Sequence, residues 1–325
     1  MIRCFWDERQ RAHAPTAEFF NGGLHPAAEH GGRVDAILAA IGPTLAPEDR
    51  GIEPLAAVHD AGYLGFLARA YRDWLAAGRT GEAFPYAFPV VGRRPLRFSR
   101  IDAELGQYGY DTSTPIGPAT WAAAYWGAQT ALAGLHATVT GDHAFAFCRP
   151  PGHHAGADYC GGYSYLNNAA ICAVAAGRPV AVLDIDYHHG NGTQDLLAGR
   201  AGVRFASLHA DPATDYPFFW GHADESGGNI LNLPLPRGTG FAAYDAALAR
   251  ALNWLAEGAP ELLIVSFGAD TYIGDPISHF ALHTPDYERL ARRIVSLGLP
   301  TLIVMEGGYA VDALGANVAS FLAGF

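Results

Sequence analysis

The feature that most constrains the fold is a series of short, unbroken apolar runs, each near a segment whose apolar residues have helical spacing. Runs of this kind are typical of strands buried on both faces of a parallel sheet. They cover residues 144–147, 180–185, 203–208, 262–267 and 301–305. Helical patterns cover residues 63–77, 118–135, 165–176, 241–257, 285–297 and 311–322. The alternation predicts an α/β fold with one parallel sheet and helices on both of its faces.

A chain of 325 residues is longer than most single domains, yet α/β sheets covered on both faces reach this length as one unit. We therefore expect one domain over residues 1–325. Half of the residues are hydrophobic and 16% are charged, against about 25% charged in an average soluble protein. This balance predicts a large buried core or a sizeable subunit interface, and oligomerisation is expected on composition alone.

The net charge of −11 and the lack of any basic run argue against nucleic-acid binding, which depends on Lys and Arg neutralising phosphates. An acidic protein suits a cationic ligand better, although acidity also serves solubility. The sequence shows neither a signal peptide nor an apolar segment long enough for a membrane span. Its four cysteines have no C-x-x-C spacing. We expect a cytoplasmic protein with free thiols and no membrane contact.

Residues 80–117 interrupt the alternation of strands and helices. The segment is rich in Gly, Pro, Tyr and Phe and has no clean periodicity. An irregular segment of this length inside a compact domain is usually functional, and its aromatic residues argue against disorder. We expect it to shape a substrate mouth or to contact a second subunit.

Polar residues follow four of the predicted strands directly. Because parallel α/β sheets bind ligands beyond the carboxyl ends of their strands, these residues should meet in space. The four segments are Arg149-Pro-Pro-Gly-His153-His154, Asp184-Ile-Asp186-Tyr-His188-His189-Gly-Asn191-Gly, Gly268-Ala-Asp270 and Glu306-Gly-Gly-Tyr309. We expect the functional site at this edge of the sheet.

One of these segments has the pattern of a metal site. Alternate residues of an extended segment point the same way, so Asp184, Asp186 and His188 share one face. Two carboxylates this close repel each other unless a cation lies between them, and a strand-end turn or helix cap hardly accounts for the histidine. Asp270 would be a third ligand and leave a coordination position open, as in catalytic metal sites. Taken alone, Gly-Ala-Asp after a strand fits a turn with a helix cap equally well.

The remaining polar side chains suit hydrolysis at such a metal. Zinc accepts carboxylate and imidazole ligands and makes hydroxide available near neutral pH. His153 and His154 can then serve as general base and acid, and Asp184 and Asn191 are candidates for the partners that fix their tautomers. Tyr309 follows two glycines that allow a tight turn, and its hydroxyl can donate to an oxyanion. A structural histidine pair and a packed core tyrosine are the competing interpretations.

These segments resemble the histone deacetylase superfamily, and the similarity extends over nearly the whole chain. The motifs that carry it are Arg149-Pro-Pro-Gly-His153-His154-Ala, Gly161-Gly162-Tyr163, Asp184-Ile-Asp186-Tyr-His188-His189-Gly-Asn191-Gly-Thr-Gln, Ser207-Leu208-His209, Gly-Ala-Asp270-Thr and Glu306-Gly-Gly-Tyr309. Within the superfamily the chain is similar to the bacterial acetylpolyamine amidohydrolases, on the strength of Cys148-Arg-Pro-Pro-Gly-His-His-Ala-Gly, Asp275-Pro-Ile-Ser278, Met305-Glu-Gly-Gly-Tyr309 and the long segment before Gly117. The resemblance implies a single-domain fold of the arginase-deacetylase type.

Two cation sites are implied by the same resemblance. One is a zinc centre with one Zn²⁺ per subunit, held by Asp186, His188 and Asp270. The other binds a monovalent cation, K⁺, near Asp184, Asp186, His188, Ser207 and Leu208.

The resemblance also assigns the catalytic roles. It makes His153 and His154 the tandem acid and base, with Asp184 the partner of His153 and Asn191 the partner of His154. It makes Tyr309 the group that polarises the scissile carbonyl. The implied reaction removes the acetyl group from acetylated polyamines, such as acetylputrescine, acetylcadaverine and acetylspermidine, and gives acetate and a free amine.

A narrow substrate tunnel and a homodimer are implied as well. Tyr163 and Tyr216 fall where the superfamily has aromatic walls, and Gly162 would offer its carbonyl to the substrate amide. Residues 80–117 would shape the dimer and narrow the mouth. The acids expected to attract the distal ammonium groups of a polyamine are Glu18, Glu104 and Asp111.

Other functions stay open from the sequence. A deacetylase acting on acetyl-lysine peptides would use the same metal, histidines and tyrosine. A two-metal ureohydrolase would need further carboxylates beside each metal ligand. The residues that follow Asp270 are Thr271 and Tyr272, so a second carboxylate is missing there. A non-catalytic acyl-amine-binding protein would be expected to lack one of the groups present. The acyl chain length and a choice of iron or cobalt in place of zinc are also undecided.

Overall fold

The computed structural model describes residues 2–90, 92 and 96–325. In these residues the strands are β1 Arg3–Phe5, β2 Ala17–Phe20, β3 Gly23–Pro26, β4 Ala144–Ala146, β5 Val180–Asp184, β6 Val203–Ala210, β7 Ile230–Leu235, β8 Leu262–Phe267 and β9 Thr301–Met305. The helices are α1 Gly32–Ile41, α2 Glu53–Ala56, α3 Ala61–Ala76, α4 Ile101–Tyr108, α5 Thr120–Val139, α6 Asn168–Ala175, α7 Asn191–Leu197, α8 Phe241–Ala256, α9 Thr284–Val295 and α10 Val311–Leu322.

Seven strands form one sheet in the order β1-β4-β9-β8-β5-β6-β7, and every neighbouring pair in it is parallel. The predicted α/β fold is therefore confirmed, and all five predicted strands are present. The sequence analysis missed the two edge strands. β1 has only three residues, and β7 contains Asn232 and Pro234. A proline is tolerated in β7 because its strand lies at the edge of the sheet, where one side needs no ladder hydrogen bonds.

The apolar character of the central strands follows from their position between two layers of helices. In β5, Val182 belongs to the hydrophobic core on one side of the sheet, and Ala181 and Leu183 belong to the core on the other side. Side chains of a strand alternate between faces, so a strand covered on both faces must be apolar at every position. This is why the strands appear as unbroken apolar runs in the sequence.

The four strands that precede the polar segments are neighbours in the sheet. They are β4, β9, β8 and β5, in that spatial order. Because all four are parallel, their carboxyl ends lie along one stretch of one edge. The tertiary structure thus brings together four segments that are spread over residues 149–309 of the chain, as the sequence analysis expected.

The segment 80–117 is less irregular than its composition predicts. It contains α4, Ile101–Tyr108, which buries Ile101 and Leu105. Ala83 and Ile116 form an antiparallel bridge that closes the segment at its base. The helix was missed because only two turns are present and their apolar face is short. Val91 and residues 93–95 of this segment lie outside the described residues.

The described helices include none that combines the length and the apolar character of a membrane span.

A buried neutral histidine connects the start of α3 and α6 to the loop after β4. The Nδ1 atom of His59 lies 2.7 Å from the carbonyl oxygen of Gly156, and its Nε2 atom accepts the N–H of Asn167 at 3.0 Å. An acceptor at Nε2 requires the neutral ring, with the hydrogen on Nδ1. Burial lowers the pKa of His59 to about 4. Protonation of this ring would break the contact with Asn167.

We predict a stability loss in acid that depends on His59. Its folded-state pKa lies below its ordinary value, so its contribution is complete above pH 6.5 and is lost as the pH falls towards about 4. Each pKa unit corresponds to about 1.4 kcal/mol, so the loss is on the order of 3 kcal/mol. His59→Gln keeps a donor and an acceptor but cannot be protonated there. Urea denaturation at several pH values should give this variant a flatter pH dependence.

The exposed His136 on α5 offers a matched control. His136→Gln should unfold with the same pH dependence as the unmodified protein. Equal slopes for all three proteins between pH 6.5 and pH 4.5 would contradict the role given to His59.

Candidate active site

Asp186, His188 and Asp270 converge beyond β5 and β8. Each offers one ligand atom, and the three atoms lie within 4.8 Å of one another. The Nδ1 atom of His188 is 3.0 Å from Oδ2 of Asp270 and 3.3 Å from Oδ1 of Asp186. All three predicted metal ligands are thus brought together, and both carboxylates are completely buried.

The donor set fits a divalent metal. Two carboxylate oxygens and one imidazole nitrogen are ligands that zinc, iron and cobalt accept, and three protein ligands leave room for a further one. Burial and the nearby charge of Asp186 raise the pKa of Asp270. A cation between the two carboxylates removes the repulsion that contributes to this shift.

Two glycines let the chain approach these carboxylates closely. A Cβ atom on Gly307 would lie 2.7 Å from carboxylate oxygens of both Asp186 and Asp270. A Cβ atom on Gly268 would come within 2.0 Å of Asp186. With no side chain in the way, the N–H of Gly307 donates to Oδ2 of Asp186 at 2.9 Å. The glycines after β8 and β9 are therefore required by the packing around the metal ligands.

The two neighbouring histidines have different partners. The Nδ1 atom of His153 lies 3.0 Å from Oδ2 of Asp184, and the Nδ1 atom of His154 lies 2.6 Å from Oδ1 of Asn191. The ring centroids are 4.1 Å apart. Both predicted pairings are present in the structure. Each places the hydrogen on Nδ1 and turns Nε2 towards the interior of the site.

The electrostatic environment separates the two rings. Burial opposes the charged form of His153, but Asp186 and Asp184 outweigh it and raise the pKa of His153 to about 10. Burial lowers the pKa of His154 well below its ordinary value, and positive charge on His153 and His188 lowers it further. Asn191 is neutral and offers no charge to counter this. The pKa values of the two neighbouring imidazoles are therefore shifted in opposite directions.

A cavity of about 230 Å³ leads from the surface to these groups. It ends at His154, His188 and Tyr309. Its other lining residues are Glu18, Phe20, Asn21, Ser113, Gly162, Tyr163, Tyr216, Phe218 and Ile277. Phe20 comes from the β2–β3 hairpin and Phe218 from the loop after β6, and both are exposed at the mouth.

Tyr163 and Tyr216 form walls of this cavity. The Tyr163 ring lies 5.5 Å from that of Tyr309, and the Tyr216 ring lies 5.1 Å from that of His154 in an edge-to-face arrangement. Gly162 has a φ of 52°, and a Cβ atom there would lie 2.2 Å from the ring of His154. Only glycine fits at this position, and its backbone consequently lies against the ring of His154.

The three acids proposed for the mouth occupy three different positions. Glu18 lines the cavity and is only 3% exposed, and it accepts the Tyr163 hydroxyl at 2.6 Å. Asp111 lies behind the wall, where it accepts the N–H of Gly162 at 2.7 Å and the Tyr216 hydroxyl at 2.9 Å. Glu104 is not brought to the cavity.

Glu104 lies on α4, where it forms an ion pair with Arg69 of α3. Both residues line a separate depression on the surface. Helical structure within 80–117, which the sequence analysis did not predict, turns Glu104 towards α3. The expectation that it faces the substrate mouth is therefore corrected.

The residues expected around a monovalent cation are also close together. Asp184 and Ser207 are paired across β5 and β6, and Leu208 follows in β6. The Ser207 hydroxyl lies 2.8 Å from Nδ1 of His209, whose Nε2 atom lies 2.8 Å from the carbonyl oxygen of Gly221. These two contacts connect β6 to the loop that contains Gly221.

Several buried charged residues near the site had no role in the sequence analysis. The Glu306 carboxylate accepts the N–H of Gly152 at 2.7 Å and of His153 at 3.2 Å, and it thereby holds the histidine loop. Glu29 pairs with Arg33 at 2.9 Å and with Arg149 at 2.7 Å. Glu306 and Arg149 lie within the sequence motifs named above, so their importance could have been inferred from the sequence. Glu29 and Arg33 lie in a stretch with no such signal.

Fold and site together define the class of protein. A single parallel α/β sheet carries an Asp-His-Asp cluster with the spacing of a metal site, a histidine pair and a tyrosine at the end of a narrow cavity. Residues 29–325 match the family model of the histone deacetylase domain. The chain therefore belongs to the histone deacetylase family.

Particular relatives are similar over their full length. The chain is 47% identical to acetylpolyamine amidohydrolase 1 of Pseudomonas aeruginosa, covering 100% of this chain and 99% of that protein. It is 42% identical to the acetylpolyamine amidohydrolase of Mycoplana ramosa, covering 99% of each. The crystal structure of an acetylpolyamine aminohydrolase from Burkholderia pseudomallei superposes with a TM-score of 0.94 at 41% identity, covering 100% of this chain and 98% of that one.

We predict that Asp186→Ala abolishes stoichiometric metal binding, because one of only three protein ligands is removed. Metal content after gel filtration in metal-free buffer, measured by plasma mass spectrometry, should fall from about one ion per chain to well below one. Asp224→Ala removes an exposed carboxylate outside the site and should leave the metal content unchanged. Full occupancy in Asp186→Ala would place the metal elsewhere.

Proposed function

We propose that the protein is a zinc-dependent deacetylase that hydrolyses the acetyl amide of acetylated polyamines to acetate and a free amine. One observation carries the substrate class. The cavity that ends at His154, His188 and Tyr309 also contains Glu18, a buried carboxylate that forms no ion pair within the described residues. A cationic substrate would supply the missing counter-charge.

Asp186, His188 and Asp270 are proposed to hold the zinc ion. When bound, Zn²⁺ polarises the scissile carbonyl and lowers the pKa of a water molecule. Only one group of residues in the described part of the chain has the spacing of a metal site. This supports a one-metal hydrolase over a two-metal ureohydrolase.

His154 is the better candidate for the general base. Its ring is neutral, its Nδ1 atom is tied to Asn191 at 2.6 Å, and Nε2 is free to accept a proton in the cavity. Asp184 and Asp186 raise the pKa of His153 and so favour its protonated form. It provides positive charge where negative charge develops and can donate a proton to the leaving amine.

Tyr309 is proposed to donate its hydroxyl to the oxyanion. Burial raises the pKa of Tyr309 well above its ordinary value. The phenol therefore stays protonated and remains a hydrogen-bond donor throughout the working pH range. A neutral donor that is fixed before the reaction needs no reorganisation as charge develops on the carbonyl oxygen.

The cavity walls explain the preference for a slender substrate. Tyr163 and Tyr216 can enclose an aliphatic chain between their ring faces. Their hydroxyls are anchored to Glu18 and Asp111, which limits how far the walls can separate. The backbone carbonyl of Gly162 is proposed to accept the N–H of the scissile amide.

Glu18 is proposed to bind the distal ammonium group. Burial raises its pKa, and hydrogen bonds from Tyr163 and Ala28 act against that shift. One carboxylate oxygen receives the Tyr163 hydroxyl and the other the Ala28 N–H at 3.1 Å. Each oxygen has a second lone pair that can accept from an ammonium group. Asp111 adds negative charge behind the wall without lining the cavity.

Three further assignments belong to the same proposal. A K⁺ ion bound near Asp184 and Ser207 would stabilise the loop that carries Asp186 and His188. Residues 80–117 are proposed to narrow the mouth in a homodimer. The acetylpolyamine amidohydrolases to which the chain is similar are named for the same substrate class, which supports the preference for polyamines.

The proposal is tested by steady-state kinetics of the zinc-loaded protein on N-acetylputrescine, an acetylated spermidine and an acetyl-lysine peptide. Released acetate is followed, because each of the three substrates would give it and the acetylated polyamines already carry free amino groups that an amine-reactive dye would label. Efficient cleavage of the small amines with slow cleavage of the peptide is expected. Preference for the peptide would make the protein a lysine deacetylase, and no product from any substrate would refute deacetylation of these classes.

We predict that Tyr309→Phe lowers kcat by at least about a hundredfold, the usual effect of removing an oxyanion donor. Zinc content should stay at the level of the unmodified protein, because Tyr309 is not among the metal ligands. Near-normal turnover in this variant would exclude the hydroxyl from the reaction.

We predict that Glu18→Gln raises KM for N-acetylputrescine by about tenfold or more, since a charge-assisted contact contributes about 1.5–3 kcal/mol. The change in KM should be small for N-butylacetamide, which has no distal ammonium group. Glu104→Gln is the matched control because its carboxylate contacts Arg69 outside the cavity. A substrate-independent effect of Glu18→Gln would show that the residue only supports Tyr163.

A further inference from the structure

The backbone that carries Tyr309 has little rigidity of its own. It runs from Glu306 through Gly307 and Gly308, and Gly308 has a φ of 123°. Two consecutive glycines allow many backbone conformations. An oxyanion donor must nevertheless be held to within a fraction of an ångström of its working position. The restraint on Tyr309 must therefore come from outside its own segment.

Asp275 supplies contacts of the required kind. Its Oδ2 atom accepts the N–H of Tyr309 at 2.7 Å and the N–H of Ala310 at 3.2 Å. Its Oδ1 atom accepts the N–H of Ile277 at 3.1 Å. The residue is 7% exposed and forms no ion pair within the described residues. Its charge is thus met by backbone N–H groups next to the start of α10 at Val311.

Arg33 restrains the same segment from the carbonyl side. Its Nε atom donates to the carbonyl oxygen of Gly308 at 2.8 Å, and its guanidinium carbon lies 5.1 Å from the centre of the Tyr309 ring. An anion on the N–H side and a cation on the C=O side oppose each other across one short backbone segment. Asp275 is the member of this pair that bonds to Tyr309 itself.

The loop of Asp275 also carries the metal ligand Asp270. The N–H of Asp275 donates to the carbonyl oxygen of Tyr272 at 3.0 Å. The Ser278 hydroxyl donates to the carbonyl oxygen of Asp270. Both contacts fix the distance from Asp275 to Asp270 within one compact turn. The same loop consequently restrains both the backbone of Tyr309 and the metal ligand Asp270.

We propose that Asp275 is a positioning residue that sets Tyr309 at a fixed distance from the metal ligands. It is absent from the cavity lining and does not touch the substrate. It acts through the backbone N–H of Tyr309. The proposal rests on the function proposed for Tyr309 above.

The test is a double-mutant cycle of Asp275→Asn and Tyr309→Phe. Asparagine is nearly isosteric but has one acceptor oxygen, so it cannot serve Ile277 on one side and Tyr309 on the other. On N-acetylputrescine, Asp275→Asn should lower kcat by about ten- to a hundredfold with KM and zinc content nearly unchanged. In the Tyr309→Phe background the same change should lower kcat by less than about threefold. Equal factors in both backgrounds would overturn the proposal.

Hydrogen exchange gives a readout that does not depend on activity. The amide hydrogens of Tyr309 and Ala310 should exchange faster in Asp275→Ala, because this change removes the oxygen that accepts from both of them. Unchanged exchange would overturn the proposal even if the protein deacetylates none of the tested substrates. Activity in the unmodified protein with faster exchange but no kcat effect would equally count against it.

Asp286 provides the matched control. It is 8% exposed, caps α9 and accepts the N–H of His283 at 3.0 Å, far from the cavity lining. Asp286→Asn should lower the melting temperature by an amount comparable to Asp275→Asn without changing kcat. If Asp275→Asn does not fold, Asp275→Glu keeps both acceptor oxygens and shifts them by one methylene. That variant should fold and show the same selective loss of kcat.

Discussion

The burial of negative charge at one edge of the sheet is the constraint on which the rest of the site depends. Five carboxylates at this edge are almost inaccessible to solvent, one at the end of β5 and four in the loops that follow strands, namely those of Asp184, Asp186, Asp270, Asp275 and Glu306. Removing an isolated carboxylate from water costs several kcal/mol. Backbone N–H groups offset part of this cost. Asp186 accepts the N–H of His188 at 2.9 Å and Asp270 accepts that of Tyr187 at 3.0 Å. A divalent metal between Asp186 and Asp270 would balance the remaining charge.

The electrostatic field of these carboxylates gives two adjacent histidines different pKa values. His153 faces the carboxylates of Asp184 and Asp186, whereas His154 faces the amide of Asn191. Chemically identical side chains thus acquire pKa values that lie far apart. Separated pKa values of this kind are what a site needs if one group is to donate a proton and the other to accept one. The proposed division of roles would follow from the partner of each histidine, a carboxylate for His153 and a neutral amide for His154.

Acidic residues also organise the cavity, and their position decides what each can do. Asp111 accepts hydrogen bonds from Gly162 and Tyr216 and therefore holds the wall of the cavity in place. The Glu18 carboxylate can accept further hydrogen bonds within the cavity and can therefore bind a cation. The aromatic walls, held by these two carboxylates, restrict the cavity to slender groups. The shape and the charge of the cavity would thus both suit the substrate class proposed above, an acylated amine with a distal positive charge.

The sequence by itself determined the fold class, the four polar segments and the Asp-His-Asp cluster that is proposed to hold the metal, because buried parallel strands and their terminal loops leave periodic, local signals. The histidine partners Asp184 and Asn191 could also be named from the motifs. The roles of Arg33, Asp275 and Glu306 were decided only by tertiary contacts with residues far away in the chain. Glu104 and Asp111 show the same limit, since a short helix and a hydrogen bond across the cavity wall set where their carboxylates point. Spacing in the sequence identifies groups that share a strand end, but the direction of a side chain from a loop depends on packing that only the complete fold provides.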